Sequence, residues 1–374
     1  MIYFDNAATS RYKPKVVKNA IADAIRHSAN PGRGSHDEAI RGAMTVGRTR
    51  DDVMRFIKAK RANVVFTKNC TEALNIGILG TVRPGDHVVT TVLEHNSVLR
   101  PLYMLKKEGL ITLSVVEGDK GRITAHDIAA AIEEKTYLVA ITAMSNVTGY
   151  APPLGEIGEL CAEKGVKLLV DGAQALGHLP LCVDKIGIDM LCGAAHKGLH
   201  GAMGGGFFAF SKRIFVNPLL YGGTGTESAS LIQPKDPPES LEAGTLNLPG
   251  IAALGAGVRW TEANFEKIRK KEAELSTFLH EEVAKTGYRV YSVAGSPILS
   301  FALPSADSQT IADVLNQEYG IAVRAGLHCA PLIHKTLGTD RKGLVRVSIG
   351  CKNTLKEAKR LLFALKEIKK RLTK

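Results

Sequence analysis

Two residues near the middle of this chain carry groups that belong together chemically. Asp171 follows the apolar run Leu168-Leu169-Val170 and opens Asp171-Gly172-Ala173-Gln174. Lys197 follows a second apolar run, Met190–Gly193, in the pair His196-Lys197. A carboxylate at the end of a buried strand can hold a proton on a pyridine nitrogen. A lysine at the end of a neighbouring strand can hold an aldehyde as a Schiff base. Pyridoxal phosphate (PLP) asks a protein for both. An isolated Asp often caps a helix, but burial after three apolar residues demands a partner, and a pyridinium nitrogen is one. A lone lysine is usually a surface charge. Lys197 instead precedes the glycine-rich Gly201–Gly206, where the backbone must approach closely. Partial desolvation there lowers a lysine pKa in the way Schiff-base chemistry needs. Gln174 is placed to reach the ring hydroxyl. His95 can lie over the ring or shuttle protons, unless it is an ordinary satisfied histidine.

The phosphate of such a cofactor needs N–H groups at a helix start. Lys68-Asn69-Cys70-Thr71-Glu72-Ala73 lies between a strand and a helix, which makes Cys70 and Thr71 candidate cofactor contacts. The same short motif also reads as a plain helix cap. Cys329 lies in Arg324-Ala-Gly-Leu-His-Cys-Ala330. Free cysteine is more often a small core hydrophobe, but Arg324 and His328 can favour the thiolate, and the flanks read as a loop. Arg346, in Leu344-Val-Arg-Val-Ser348, can clamp a substrate carboxylate or serve as a strand-face ion pair.

These residues meet only if particular elements position them. Short apolar runs predict strands at Asn63–Thr67, His87–Val92, Thr112–Val116, Tyr137–Ala143, Lys167–Val170, Met190–Gly193 and Gly206–Phe210. They show little polar alternation, as strands covered on both faces do. Helices are predicted between them, including Cys70–Gly80, His126–Glu134 and Leu154–Lys164. Strands alternating with helices predict a mainly parallel, doubly wound sheet, which places ligands at its carboxyl ends. There stand Glu94-His95-Asn96, Ser145-Asn146, Asp171 and Lys197. Tyr221–Leu248, rich in Gly, Ser, Thr and Pro, reads as a long functional or interfacial loop. A long helix is expected from Ile251 to Thr286, broken near Trp260. A smaller α+β region follows, with strands near Arg289–Ser292, Ile298–Ala302, Ile321–Arg324 and Leu344–Ser348, and helices Ser308–Tyr319 and Thr354–Leu372.

The chain has 374 residues, enough for more than one domain, and its 45% hydrophobic and 23% charged content fits a globular protein. The net charge of +12 includes the basic tail Lys366–Lys374, which reads as the solvated face of a last helix. No aromatic interleaving points to nucleic acid. None of the six cysteines forms a C-x-x-C pair, so no metal site is expected. No secretory leader and no membrane span are expected, which leads to a reducing cytoplasm with free thiols. The G-x-G-x-x-G of a nucleotide-binding dehydrogenase is missing after the first strand.

With these residues in hand, the chain resembles the cysteine desulfurase/selenocysteine lyase family of the class V aminotransferase fold. The similarity runs from Tyr3-Phe4-Asp5-Asn6-Ala7-Ala8-Thr9 through Thr71–Asn75, Glu94–Val98, Ser145–Gly149, Asp171–Gln174, His196-Lys197 and Glu242–Thr245. Arg324–Ala330 resembles the Suf-type branch with its short cysteine loop. The resemblance implies an α/β, fold type I PLP-transferase: a large domain (14–250) with a mainly parallel seven-stranded sheet, and a small α+β domain (1–13 and 251–374). It implies that Lys197 holds PLP and moves protons, Asp171 pairs with the pyridinium nitrogen, Gln174 contacts the ring oxygen and His95 stacks on the ring. Asn146 orients cofactor or substrate. Thr71 and His196 bind the phosphate, joined by Thr245 from the other subunit of a homodimer. Arg346 binds the carboxylate of a small amino-acid substrate. Cys329 attacks the substrate sulfur, giving alanine and a persulfide that passes to a sulfur-acceptor protein, as in iron–sulfur cluster assembly. Selenocysteine lysis, another C–S lysis, amino-group transfer and a scaffold role with a decayed site are the alternatives. Ala194 stands where the family usually has Ser or Thr, which removes a phosphate hydrogen bond. Ala195 replaces a usual Gly, and Leu102 follows Pro101 where many Suf-type members carry Trp. With His196–Leu199 and Asn30–Gly34, these departures suggest a side branch.

Overall fold

Alternate residues along the central strands belong to different cores. In Thr136–Thr142, Val139 and Ile141 pack on one side, Leu138 and Ala140 on the other. In Lys167–Asp171, Leu168 and Val170 oppose Leu169 in the same way. This two-residue period of a pleated strand, with both faces apolar, is why the runs lack polar alternation. It forces helices onto both faces of one sheet.

A computed structural model of the chain describes residues 1–27, 29–31 and 34–372. Its elements are, in order, β1 (Ile2–Tyr3), α1 (Lys15–Arg26), α2 (Asp37–Phe56), β2 (Ala62–Thr67), α3 (Cys70–Leu79), β3 (His87–Thr91), α4 (Asn96–Lys107), β4 (Thr112–Val116) and α5 (Ala125–Ala131). Next come β5 (Thr136–Thr142), α6 (Leu154–Lys164), β6 (Lys167–Asp171), α7 (Val183–Ile186), β7 (Met190–Ala194), β8 (Gly206–Ser211) and α8 (Leu248–Lys285). The remainder is β9 (Arg289–Val290), β10 (Ile298–Ala302), α9 (Ser308–Tyr319), β11 (Ile321–Ala322), β12 (Arg324–Gly326), α10 (Pro331–Thr336), β13 (Leu344–Ser348) and α11 (Leu355–Leu372). Gly32 and Arg33 of the Asn30–Gly34 pattern, and Thr373 and Lys374 of the basic tail, lie outside the described residues.

The large sheet has seven strands in the order β2-β8-β7-β6-β5-β3-β4. β7, β6, β5, β3 and β4 run parallel, while β8 is antiparallel to both β7 and β2. The α/β fold with a mainly parallel seven-stranded sheet is therefore present. A four-stranded antiparallel sheet, β12-β13-β10-β9, forms a second layer over a separate core that includes Phe301, Val345, Leu361 and Leu365.

Two local expectations are corrected. α8 is unbroken at Trp260 over its 38 residues. Its sequence changes character there because its surroundings change. Ile251, Leu254 and Val258 pack on the large sheet's core, and Leu275, Leu279 and Val283 on the small one. The strand expected at Ile321–Arg324 is two: β11 pairs parallel with β1, and β12 pairs antiparallel with β13. Strand propensity does not register a change of partner.

The segment from Ile2 to Lys13 is a strap across both layers. It pairs with β11, hydrogen-bonds Ser348 at the end of β13, and then crosses to the turn after β7. The positioning of several site residues depends on it.

Candidate active site

Four parallel strands end around one cavity. β3 leads to His95, β5 to Asn146, β6 ends on Asp171, and β7 leads to His196 and Lys197. The cavity is lined by these residues with Cys70, Thr71, Ser97, Gln174 and Ala194 among others. The strand ends predicted to converge do so, as parallel sheets require of a ligand site.

Asp171 is buried, and its Oδ1 accepts from the Ala173 N–H at 2.9 Å and the Cys70 thiol at 3.5 Å. Its Oδ2 makes no hydrogen bond among the described residues, which leaves one carboxylate oxygen to receive a proton donor in the cavity. Cys70 sits at the first turn of α3, and burial beside Asp171 pushes its thiol well above the ordinary range. The Lys197 amine also makes no hydrogen bond among the described residues. Burial lowers its pKa, and the Asp171 carboxylate partly opposes that. A lysine that is easily deprotonated, facing a carboxylate, can form a Schiff base and then exchange protons. The turn holding Lys197 is tight: a Cβ on Gly198 would lie 2.2 Å from the Leu176 carbonyl oxygen.

The α3 N-terminus forms another wall. Asn69 caps it by accepting from Glu72 N–H at 2.9 Å, and the first N–H groups of a helix have no partner inside it. A chain of contacts joins this wall to His95. Thr71 Oγ1 is 2.7 Å from Ser97 Oγ, which is 2.9 Å from His95 Nδ1. The Ser97 N–H donates to the same Nδ1 at 3.1 Å, so the neutral ring carries its proton on Nε2. Burial holds the His95 pKa down and keeps the ring neutral. His196 is pushed down to about 4 by burial and by the cations Lys197 and Lys13, and its Nδ1 is buried without a partner. Gln174 donates to the Ala7 carbonyl oxygen at 3.0 Å.

Three candidates lie outside this lining. Cys329 stands on a turn in which His328 and Cys329 both have positive φ, 51° and 58°. Non-glycine residues seldom adopt that conformation, and here neighbours enforce it. Asn146 Nδ2 donates to the His328 carbonyl at 2.7 Å, and Asn96 N–H donates to the Cys329 carbonyl at 2.7 Å. Arg324 Nη2 donates to Cys329 Sγ at 3.6 Å. Arg346 is 1% exposed; its Nη1 donates to the Asn146 carbonyl at 3.1 Å and its Nη2 to Asp5 Oδ1 at 3.1 Å. Burial and the neighbouring Arg324 lower its pKa to about 10, against the opposing pull of Asp5. Arg346 and, through His328, the turn that carries Cys329 are thus both tied to Asn146. Thr245 is exposed in a different groove, with Phe66, Gly204 and Glu242.

Sequence reasoning quoted Asp5, Glu94 and Ser97 within longer stretches but assigned none of them a role in the site. Ser97 had a local signal, two residues after His95. Glu94 is fully buried; its Oε1 accepts from Thr91 Oγ1 at 2.6 Å and Thr142 N–H at 3.1 Å, while Oε2 has no partner. Nothing local tied Asp5 to Arg346, which lies at the other end of the chain.

The unoccupied hydrogen-bonding capacity fits PLP: an acceptor oxygen on Asp171, a free amine on Lys197, and helix N–H groups near Thr71 and His196 for an anion. Among the described residues, no cluster of three His, Cys, Asp or Glu side chains could hold a metal ion, and no helix is long and apolar enough to cross a membrane.

Known proteins are similar to this chain along nearly its whole length. A probable cysteine desulfurase of Methanothermobacter thermautotrophicus is 34% identical, covering 98% of this chain and 94% of its own. One of Pyrococcus abyssi is 34% identical, covering 100% and 95%. The apo structure of a cysteine desulfurase from Thermococcus onnurineus superposes with a TM-score of 0.93 at 34% identity, covering 99% of this chain and 95% of that one. The aminotransferase class-V model matches residues 2–361, and the chain belongs to that family.

Proposed function

We propose that this protein is a PLP-dependent cysteine desulfurase, converting L-cysteine to L-alanine and retaining the sulfur as a persulfide on Cys329. The observation that carries the reading is the Cys329 thiol, held beside Arg324 and tied through Asn146 to a cavity that contains Lys197 and Asp171.

When bound, PLP supplies a ring that draws electrons from the substrate's α-carbon. The chain's residues do the rest. Asp171 keeps the ring nitrogen protonated through its open Oδ2. Lys197 would anchor the cofactor through its amine and is the group placed to take and return protons at the substrate's carbon. His95, as a neutral imidazole, would lie against the ring, and Gln174 and Asn146 would hold the ring oxygen and the substrate. Thr71, His196 and the start of α3, with Cys70 against Asp171, would hold the phosphate. Arg346 receives the substrate carboxylate. Arg324 donates to Cys329 Sγ at 3.6 Å and orients it, and that sulfur attacks the substrate sulfur: an S–S bond forms as the C–S bond breaks, and protonation of the remaining carbon skeleton yields alanine.

In this reading the large domain is 14–250 and the small one 1–13 with 251–374. Thr245, exposed and away from its own chain's cavity, completes the phosphate site of a second copy in a homodimer. A sulfur-acceptor protein takes the persulfide in a reducing cytoplasm.

The test is alanine and sulfide release from L-cysteine with a reductant, by the wild type and Cys329→Ala at matched PLP occupancy. Equal amounts of both products from the wild type and neither from the variant support the reading. Equal activity of the two proteins makes Cys329 structural and the enzyme another lyase. Activity confined to L-selenocysteine would move the assignment to selenocysteine lyase.

A further inference from the structure

The carbonyl oxygen of His196, next to Lys197, is surrounded by four donors from the strap. They are Ser10 N–H at 3.0 Å, Ser10 Oγ at 3.0 Å, Thr9 Oγ1 at 3.2 Å and Lys13 Nζ at 2.9 Å. A carbonyl has two lone pairs, and among competing donors the charged one binds most strongly. Lys13 also donates to Ser10 Oγ at 2.8 Å.

Lys13 is half-buried and forms no ion pair among the described residues. Burial alone brings its pKa down to about 8. It borders a cleft with Arg11, Lys18, His200 and Lys352. Glu357, the one acid lining that cleft among the described residues, accepts from the Thr354 N–H at 2.8 Å. An ammonium partly removed from water and left without a protein counter-ion is costly unless an anion is bound nearby. The neighbouring cavity has its anion-accepting groups, Thr71, His196 and the α3 terminus, beside this point.

We propose that Lys13 is a positioning residue for the cofactor's phosphate: through the His196 carbonyl it fixes the His196-Lys197 turn and adds positive charge behind the phosphate end of the cavity. This rests on the PLP reading above. Lys13 does not line the cavity, so it acts through His196 and touches no reacting atom.

The experiment compares binding of PLP and of pyridoxal, which lacks the phosphate, to cofactor-free protein by equilibrium dialysis. It uses the wild type, Lys13→Met and Lys13→Arg. The expected result is that Lys13→Met weakens PLP about tenfold, leaves pyridoxal unchanged, and is largely restored by Lys13→Arg. Unchanged PLP affinity in Lys13→Met overturns the proposal. So does an equal loss of PLP and pyridoxal, which would mean that Lys13 only maintains the fold. A wild type that fails to prefer PLP to pyridoxal overturns the cofactor reading together with the proposal. The first two results leave that reading standing.

Discussion

Arg346 and Asp5 form an ion pair between the last strand of the small sheet and the strap, with Nη2 and Oδ1 3.1 Å apart. The arginine is 1% exposed and its Nε has no partner, so Asp5 supplies the main charge that balances it. Removing one partner of a buried pair leaves the other charge uncompensated. Asp5→Asn is expected to lower stability by about 2 kcal/mol, less than for a fully buried pair because Asp5 keeps some contact with water. It should also raise KM for L-cysteine more than it lowers kcat, since Arg346 is then less well held. Urea unfolding and steady-state kinetics check the two effects.

Asn146 connects the arginine to the nucleophile. Its carbonyl accepts from Arg346 and its side chain donates to the His328 carbonyl. Asn146→Ala is expected to free the Cys329 turn from its left-handed conformation. Persulfide formation should fall on the order of a hundredfold, because misplacement of a reacting group by about an ångström has that scale of effect. Single-turnover alanine formation reads the loss, and faster amide exchange across 326–330 locates it.

Burial holds the Glu94 carboxyl neutral up to about 8, against an ordinary value of 4.5. A carboxyl raised in the folded state stabilises the fold fully below its unfolded pKa. That contribution is lost as pH rises through the folded value. The loss approaches roughly 1.4 kcal/mol per pH unit between the two values. Glu94→Gln preserves the acceptor for Thr91 and Thr142 and cannot ionise. Its stability relative to the wild type should therefore grow from about pH 5 to about pH 8. Unfolding free energies that change in parallel across that range would refute this.

Gly177 and Gly198 bring two turns together beneath Lys197. Gly177 has φ +91°, and a Cβ there would lie 2.3 Å from the Gly198 carbonyl oxygen. Gly198→Ala should cost about 2 kcal/mol through overpacking. It should also displace Lys197, so that the variant binds PLP without its full Schiff-base absorbance. A variant with native stability and spectrum would show that the turn can give way.

Much of this was legible in the residues. The strands Thr112–Val116, Ile298–Ala302 and Leu344–Ser348 and the helices Leu154–Lys164 and Ser308–Tyr319 stand where the patterns put them. Asp171 and Lys197 share a cavity because each follows an apolar strand in a parallel sheet, and hydrophobic periodicity reads that order locally. The Ile321–Arg324 strand and the break near Trp260 failed for one reason. Both positions are decided by which distant surface the segment meets.

The sequence by itself determined the α/β class, the strand ends that carry chemistry and the family. Those follow from short-range patterns and from residue types that few other arrangements would use. Tertiary structure alone decided that Asp5 pairs with Arg346, 341 residues away, and that Asn146 holds the turn of His328, 182 residues away. It also placed Lys13 on the carbonyl of His196, next to Lys197. Such contacts depend on how the strap and the small sheet pack onto the large one, and no local period or propensity encodes that geometry.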